Sequence, residues 1–153
     1  MTQEEKELLL KEICARLPYG VKVQIDFGKH CIKYGIDRYV DDTVICVYPE
    51  TFEVGVNDED QACDVEDVKP YLRHLSNMTK EERKIVCTMN ILSEAELEDR
   101  IKYQKMYVNS YTIETFDLFN SNHLDYRGSI EKGLALQAPE GMYKISNNAI
   151  ENE

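Results

Sequence analysis

The densest group of chemically able side chains is His123-Leu124-Asp125-Tyr126-Arg127-Gly128. An imidazole, a carboxylate, a phenol and a guanidinium fall there within five residues. Such a group could hold an anion or move protons, because arginine offers a planar fork of donors and histidine titrates near neutrality. The competing reading is a loop whose polar side chains bond its own backbone, with Arg127 paired to Asp125 or to another acid. Lys69, Tyr71, Arg73 and His74 form a second basic and aromatic group. Arg73 and Tyr71 could grip a small phosphorylated ligand. The group directly follows a run of carboxylates, so internal ion pairing is its plainer use, and an exposed pair contributes only about 0–1 kcal/mol.

That run is the acidic block. Residues 50–70 hold eight carboxylates and one lysine, with DEDQACDVED at their centre. A calcium loop needs alternate oxygen ligands and a glycine at its bend, and that pattern is missing, so no metal is expected. Asp58, Glu59, Asp60, Asp64, Glu66 and Asp67 could instead form an acidic face that meets a basic protein or imitates nucleic-acid phosphates. A solvated loop that keeps the chain soluble is the other reading. Nucleophile-elbow, zinc-helix, phosphate-loop and dinucleotide signatures are absent, and the 7 glycines never cluster. No catalytic residue and no cofactor is assigned. Five cysteines, at 14, 31, 46, 63 and 87, include no C-x-x-C pair. His30 beside Cys31 is the closest Cys–His pair, but neighbours on a strand point to opposite faces. Reduced, mostly buried thiols are expected.

Composition narrows the function classes. With 18 basic and 29 acidic residues the formal net charge is −11. Nucleic-acid binding through a basic face lacks its electrostatic footprint, and an anionic membrane surface is disfavoured for the same reason. No apolar run approaches the roughly 20 residues that span a bilayer. The opening MTQEEKELLLKE is charged from the start and lacks the basic and then apolar regions of a signal peptide, so a cytosolic chain is expected. Ten tyrosines and no tryptophan favour contact surfaces, for which Tyr103, Tyr107, Tyr111 and Tyr126 are candidates.

The elements that must position these residues follow from periodicity and caps. Thr2 with Glu5 is a capping box, and Leu8, Leu9, Ile13 and Leu17 recur at helical spacing. The pattern predicts a helix over 2–17, with Glu4, Lys11, Glu12 and Arg16 on its polar side and Pro18 as its stop. In residues 21–27 every odd position is apolar, which predicts a half-buried strand. Further strands are expected at 30–36, at Thr43 to Tyr48 as a central strand, and at 52–56. Their short links favour an antiparallel meander. A single turn at Val65 to Val68 and a strand or crossing segment at Tyr71 to Leu75 follow. Thr79 with Glu82 opens a helix, and Ser93 with Glu96 marks a break and a second helix to about Met106. A late strand at 107–113, a short helix over Glu114 to Asn120 and a turn-rich stretch from His123 to Met142 complete the pass.

Three stretches carry a resemblance to a known group. They are Lys6-Glu7-Leu8-Leu9-Leu10 with Cys14-Ala15-Arg16-Leu17-Pro18-Tyr19-Gly20-Val21, Asp67-Val68-Lys69-Pro70-Tyr71-Leu72-Arg73, and Asp125-Tyr126-Arg127-Gly128 with Ile130-Glu131-Lys132-Gly133-Leu134-Ala135-Leu136 and Ala138-Pro139-Glu140-Gly141-Met142-Tyr143. The chain resembles small uncharacterised proteins of Bacteroidales phages and prophages. The resemblance implies a mobile-element setting in a bacterial cytosol and implies no activity. Ser129 stands where a larger apolar residue would be expected.

The expected fold is α+β, with an N-terminal helix packed on a mainly antiparallel sheet of 3–5 strands and further helices in the C-terminal half. One domain over 1–145 and a polar tail over 146–153 are expected. The leading function is a non-enzymatic protein that binds a host or viral protein, with counter-defence as one role and a homo-oligomer as another association. The alternative is a protein that sequesters a small anion or nucleotide through Tyr71, Arg73, His123, Asp125, Tyr126 and Arg127. A small hydrolase or transferase built on His123 and Asp125 ranks last.

Overall fold

Thr2 starts the first helix as its sequence signals. Its Oγ1 accepts from Glu5 N at 3.2 Å while the Glu5 carboxylate accepts from Thr2 N at 2.7 Å. Two otherwise unmet backbone donors are satisfied in this way. The helix α1 spans Gln3–Arg16. Pro18 cannot continue it, so the chain tightens into a short 3-10 turn over Leu17–Tyr19, which Gly20 closes at φ 68. The structure is a computed structural model and describes residues 1–28, 35, 37–56, 62–103 and 111–144. All of the strand expected at 30–36 except Gly35, residues 107–110 of the strand expected at 107–113, the His30–Cys31 pair, Tyr107 and the tail over 146–153 lie outside the described residues.

The strands are β1 (Lys22–Asp26), β2 (Tyr39–Tyr48), β3 (Glu53–Val56), β4 (Ala62–Asp64), β5 (Val68–Leu72) and β6 (Leu136–Gln137). They lie in the order β4-β3-β2-β1-β5-β6. The first four form an antiparallel meander, and β5 returns antiparallel to the free side of β1. The fold is therefore α+β, as the sequence predicts, with six strands among the described residues rather than three to five, because the segments at 62–64 and 136–137 add short edge strands. Two compact units make up the chain, Met1–Tyr71 with Gly133–Leu136 and Leu72–Lys132 with Gln137–Glu153.

In the first unit one sheet face is apolar. Val23 and Ile25 of β1, Val44 of β2, Val54 and Val56 of β3 and Val68 of β5 pack with Leu9, Leu10 and Ile13 of α1. Each fully buried side chain of this kind stabilises the fold by about 1.5–3 kcal/mol before entropy is counted. Glu12 and Arg16 differ from expectation. Both are fully buried, because Arg16 Nη1 bonds the Glu12 carboxylate one turn back and also donates to Glu12 O at 3.1 Å. In β2 the register shifts between Val44 and Cys46, so Ile45 has no cross-strand partner and sits exposed. Such a bulge re-aims the strand. Across from it, a Cβ at Gly55 would overlap Cys46 Sγ, so a side chain there would require Cys46 to move.

In the second unit three helices form, α2 (Lys80–Asn90), α3 (Glu94–Lys102) and α4 (Ile113–Ser121). Capping boxes at Thr79–Glu82 and Ser93–Glu96 start the first two, and the break near Ser93 is where the sequence predicts it. Thr112 Oγ1 accepts from Thr115 N at 3.3 Å and opens α4, so Tyr111 to Ile113 enters a helix rather than a strand. Ile85, Val86, Leu97, Leu118 and Phe119 form the core with Tyr126. Among the described residues no helix is long and apolar enough to cross a membrane.

Candidate functional site

Arg73 and the His123–Gly128 stretch, far apart in sequence, meet through their main chains. Arg73 N donates to His123 O and Asp125 N donates to Arg73 O, both at 2.8 Å. This single parallel bridge joins Arg73 to Leu124. The guanidinium then turns to Glu82. Nη1 donates to Glu82 Oε1 at 2.8 Å and to Asn122 O at 3.2 Å, while Nη2 donates to Glu82 Oε2 at 3.0 Å and to Asn77 O at 2.8 Å. Arginine has five N–H donors, and this geometry uses the four on Nη1 and Nη2. Glu82 Oε2 also accepts from Thr79 N at 2.6 Å, so one buried carboxylate both caps α2 and neutralises Arg73. The fork-on-fork pairing is the strong form of a charge-assisted bond.

The rest of the group is held as firmly. Asp125 accepts from Ser129 N at 2.8 Å and from Ile130 N at 2.9 Å, which ties the loop to its own backbone. His123 is buried in the left-handed conformation, with its ring stacked on Tyr143 at 3.7 Å between centroids. Tyr126 is buried against Phe119 at 5.5 Å, and the Arg127 guanidinium lies over the Tyr126 ring at 4.5 Å. Tyr71 belongs to the first unit, where its hydroxyl donates to Asp41 at 2.8 Å and accepts from Gln24 at 3.1 Å. Burial, and then the Asp41 carboxylate, push the Tyr71 phenol above its ordinary pKa. A phenol held protonated in this way bonds its neighbours and leaves no phenolate for chemistry.

A cavity of about 340 Å³ opens in the second unit, lined by Arg73, Asn77, Gln137 and Tyr143 with the backbone turn at Pro139 to Gly141. Arg73 reaches its wall with its charge already met, and Glu140 adds a carboxylate. The field for an anion is therefore weak. One catalytic spacing escaped the sequence reading: Ser129 and Lys132 stand in S-x-x-K register. Lys132 Nζ donates to Arg127 O at 2.9 Å, and the Ser129 hydroxyl is buried with no partner among the described residues. That geometry does not assemble a serine–lysine nucleophile. Partial burial raises the pKa of Cys14, Cys63 and Cys87, which favours their protonated thiols; against the expectation of mostly buried thiols, Cys14 is exposed and Cys46, Cys63 and Cys87 are half-buried. No group of three metal-ligating side chains occurs among the described residues.

Asp58, Glu59 and Asp60 lie outside the described residues. Asp64 Oδ1 accepts from Glu66 N at 3.0 Å and caps the 3-10 turn Val65–Asp67. Glu66 takes Lys6 Nζ at 3.1 Å, and Asp67 is exposed beside it. The sheet register adds residues that the sequence reading did not single out. Tyr48 pairs with Glu53, and Glu53 with Asp64, in one row across β2, β3 and β4. This row lies on the face opposite Val47, Val54 and Cys63, which pack in the core. Tyr39, Ile45 and Tyr48 are exposed large apolar side chains of β2. The period-2 alternation of residues 52–56 was the available signal for Glu53, but the partner strands and their register were not. No protein-family model, curated protein or solved structure matches the chain.

Proposed function

We propose that this chain is a non-enzymatic binding protein that docks a basic partner protein on the open face of its first-unit sheet. The setting implied by the resemblance is a phage or mobile element inside a bacterium, where such a protein would act by covering a working surface of a host or viral protein. The row Tyr48–Glu53–Asp64 carries the reading. Like charges directly opposed on neighbouring strands destabilise a sheet, by an amount on the order of the 0.2–1 kcal/mol of a favourable pair. Each carboxylate has a local role, Glu53 accepting from Thr51 Oγ1 at 2.7 Å and Asp64 capping the turn that follows it, but neither role needs the two charges opposed, and a cationic partner would relieve their repulsion. Tyrosine beside them supplies contact area with a polar tip, the composition favoured at interfaces.

The test uses the immobilised chain and a lysate of its bacterial host. Glu53→Lys with Asp64→Lys should abolish capture of the partner that the parent chain retains, while the circular dichroism spectrum stays unchanged. Equal capture by parent and variant would remove the sheet face from the account. A small-ligand reading has one observation in its favour, the cavity beside Arg73. A native mass spectrum of the gently purified chain would support it by a retained small-molecule mass, and a bare chain would oppose it.

A further inference from the structure

The cavity beside Arg73 lies wholly within the second unit, and its volume of about 340 Å³ is that of a small-molecule site. Hydrogen bonds fix its lining. Ala138 N donates to Leu72 O at 2.7 Å and anchors one wall. Met142 N donates to Pro139 O at 3.2 Å, closing a β-turn that has Gly141 at φ 78 in its third position and Glu140 in its second. On the other wall Arg73 Nη2 holds Asn77 O at 2.8 Å. Tyr143 is set by its stack on His123. A lining held in this way loses little freedom when a ligand enters.

The sequence reads Arg73 as a grip for an anion, but the charges at the cavity favour the opposite sign. Glu82 takes both guanidinium nitrogens, and the carbonyls of Asn77 and Asn122 accept from them as well. An anion would have to compete with that buried carboxylate. Glu140, by contrast, is exposed and enters no ion pair or hydrogen bond among the described residues. With Arg73 and Glu82 cancelling, Glu140 sets the charge of the lining. The neutral groups beside it can accept too. Gln137 Nε2 donates to Ala138 O at 3.4 Å, so its amide oxygen is left to accept. Asn77 Oδ1 takes only Ser76 Oγ, at 3.5 Å. Tyr143 supplies aromatic surface, which a cation also favours.

We infer that this cavity binds a small organic cation, a primary alkylammonium. Its three donors would meet the Glu140 carboxylate and the amide oxygens of Gln137 and Asn77, and its carbon chain would lie against Ala138, Pro139 and Tyr143. An ammonium donates and never accepts, which suits a site of one free carboxylate and two amide oxygens. The inference rests on the small-ligand reading of this cavity and names its ligand class. The charge that selects the ligand is that of the lining itself and does not depend on the net charge of the chain.

The probes are pentylamine, 1-pentanol and pentanoate, which are alike in length and differ in charge. At pH 7 the amine is cationic. Each is titrated into the full chain to about 10 mM, because so few atoms bind weakly, and the amide signals of Ala138, Gly141 and Tyr143 are followed by NMR. Pentylamine should shift these signals in a saturable way, and the other two probes should not. Glu140→Gln should weaken pentylamine binding about tenfold, the scale of one charge-assisted hydrogen bond. Glu131→Gln makes the same change in net charge at an exposed carboxylate outside the lining and should leave binding as it is. Circular dichroism of both variants should match the parent. Equal weakening by the two variants, or an affinity untouched by Glu140→Gln, would overturn the inference. Shifts from pentanoate or pentanol equal to those from pentylamine would also overturn it, while the small-ligand reading stands. Silence from all three overturns it as well; a small-molecule mass retained in the native spectrum would then keep the small-ligand reading, and a bare chain would remove both.

Discussion

Arg73 and Glu82 make the most consequential contact of single residues. The carboxylate is fully buried, and its two oxygens take both guanidinium nitrogens. A buried pair contributes modestly against an apolar pair of equal shape, but breaking it strands a charge. Arg73→Ala or Glu82→Gln alone should therefore cost about 3–5 kcal/mol in urea unfolding, while Arg73→Met with Glu82→Leu should recover only part of that loss, because Thr79 N and the carbonyls of Asn77 and Asn122 lose their partners as well. A cost below about 1 kcal/mol for Arg73→Ala, the range of an exposed pair, would return the arginine to the pool of ligand-binding candidates. Asp125 shows the same economy on a neutral scale: its oxygens serve two backbone amides, so it acts as a staple of its loop.

At the scale of elements, two depressed carboxylates make the fold sensitive to acid. The Arg38 guanidinium, bonded to both oxygens of Asp26, and then the Gly28 amide hold the Asp26 carboxyl below its ordinary pKa. This contact ties the end of β1 to the approach of β2. The Ser93 backbone N–H and then its hydroxyl lower Glu96, which closes the cap of α3. A carboxylate lowered in the folded state contributes stability that is present above its unfolded pKa and is lost as pH falls through the folded one. The Tm should therefore decline as pH drops below the ordinary carboxylate range, and Asp26→Asn with Glu96→Gln should flatten that decline in a pH series of thermal melts. An identical slope in the double variant would place the acid sensitivity in other groups.

For the whole molecule, charge dominates. Eighteen basic residues face 29 acidic ones, so the folded chain repels itself at neutral pH. Exposed pairs such as Arg38–Asp26 and Arg83–Glu98 offset little of this, at about 0–1 kcal/mol each. Salt weakens both effects, but the repulsion is the larger. The Tm should rise with NaCl as the screening length shortens from about 30 Å at 0.01 M to about 10 Å at 0.1 M. A falling Tm would mean that the ion pairs outweigh the net charge. Connectivity acts at this scale too, because residues 133–136 return to the first unit after the second has formed most of its length.

The sequence by itself determined the starts of α1, α2 and α3, the break at Ser93, and the strands with clean alternation around Val23 and Val54. These depend on residues one to three positions apart, and their energy is local: a hydroxyl on a nearby amide, or one apolar face per strand. Tertiary structure alone decided that Glu12 and Arg16 are buried, that Ile45 bulges, that Glu53 faces Asp64, and that Arg73 meets both Glu82 and His123. A strand's own pattern gives its faces but not its neighbour's register. A charged side chain shows its type but not which carboxylate will share its desolvated environment, because that partner is chosen by the packing of distant segments.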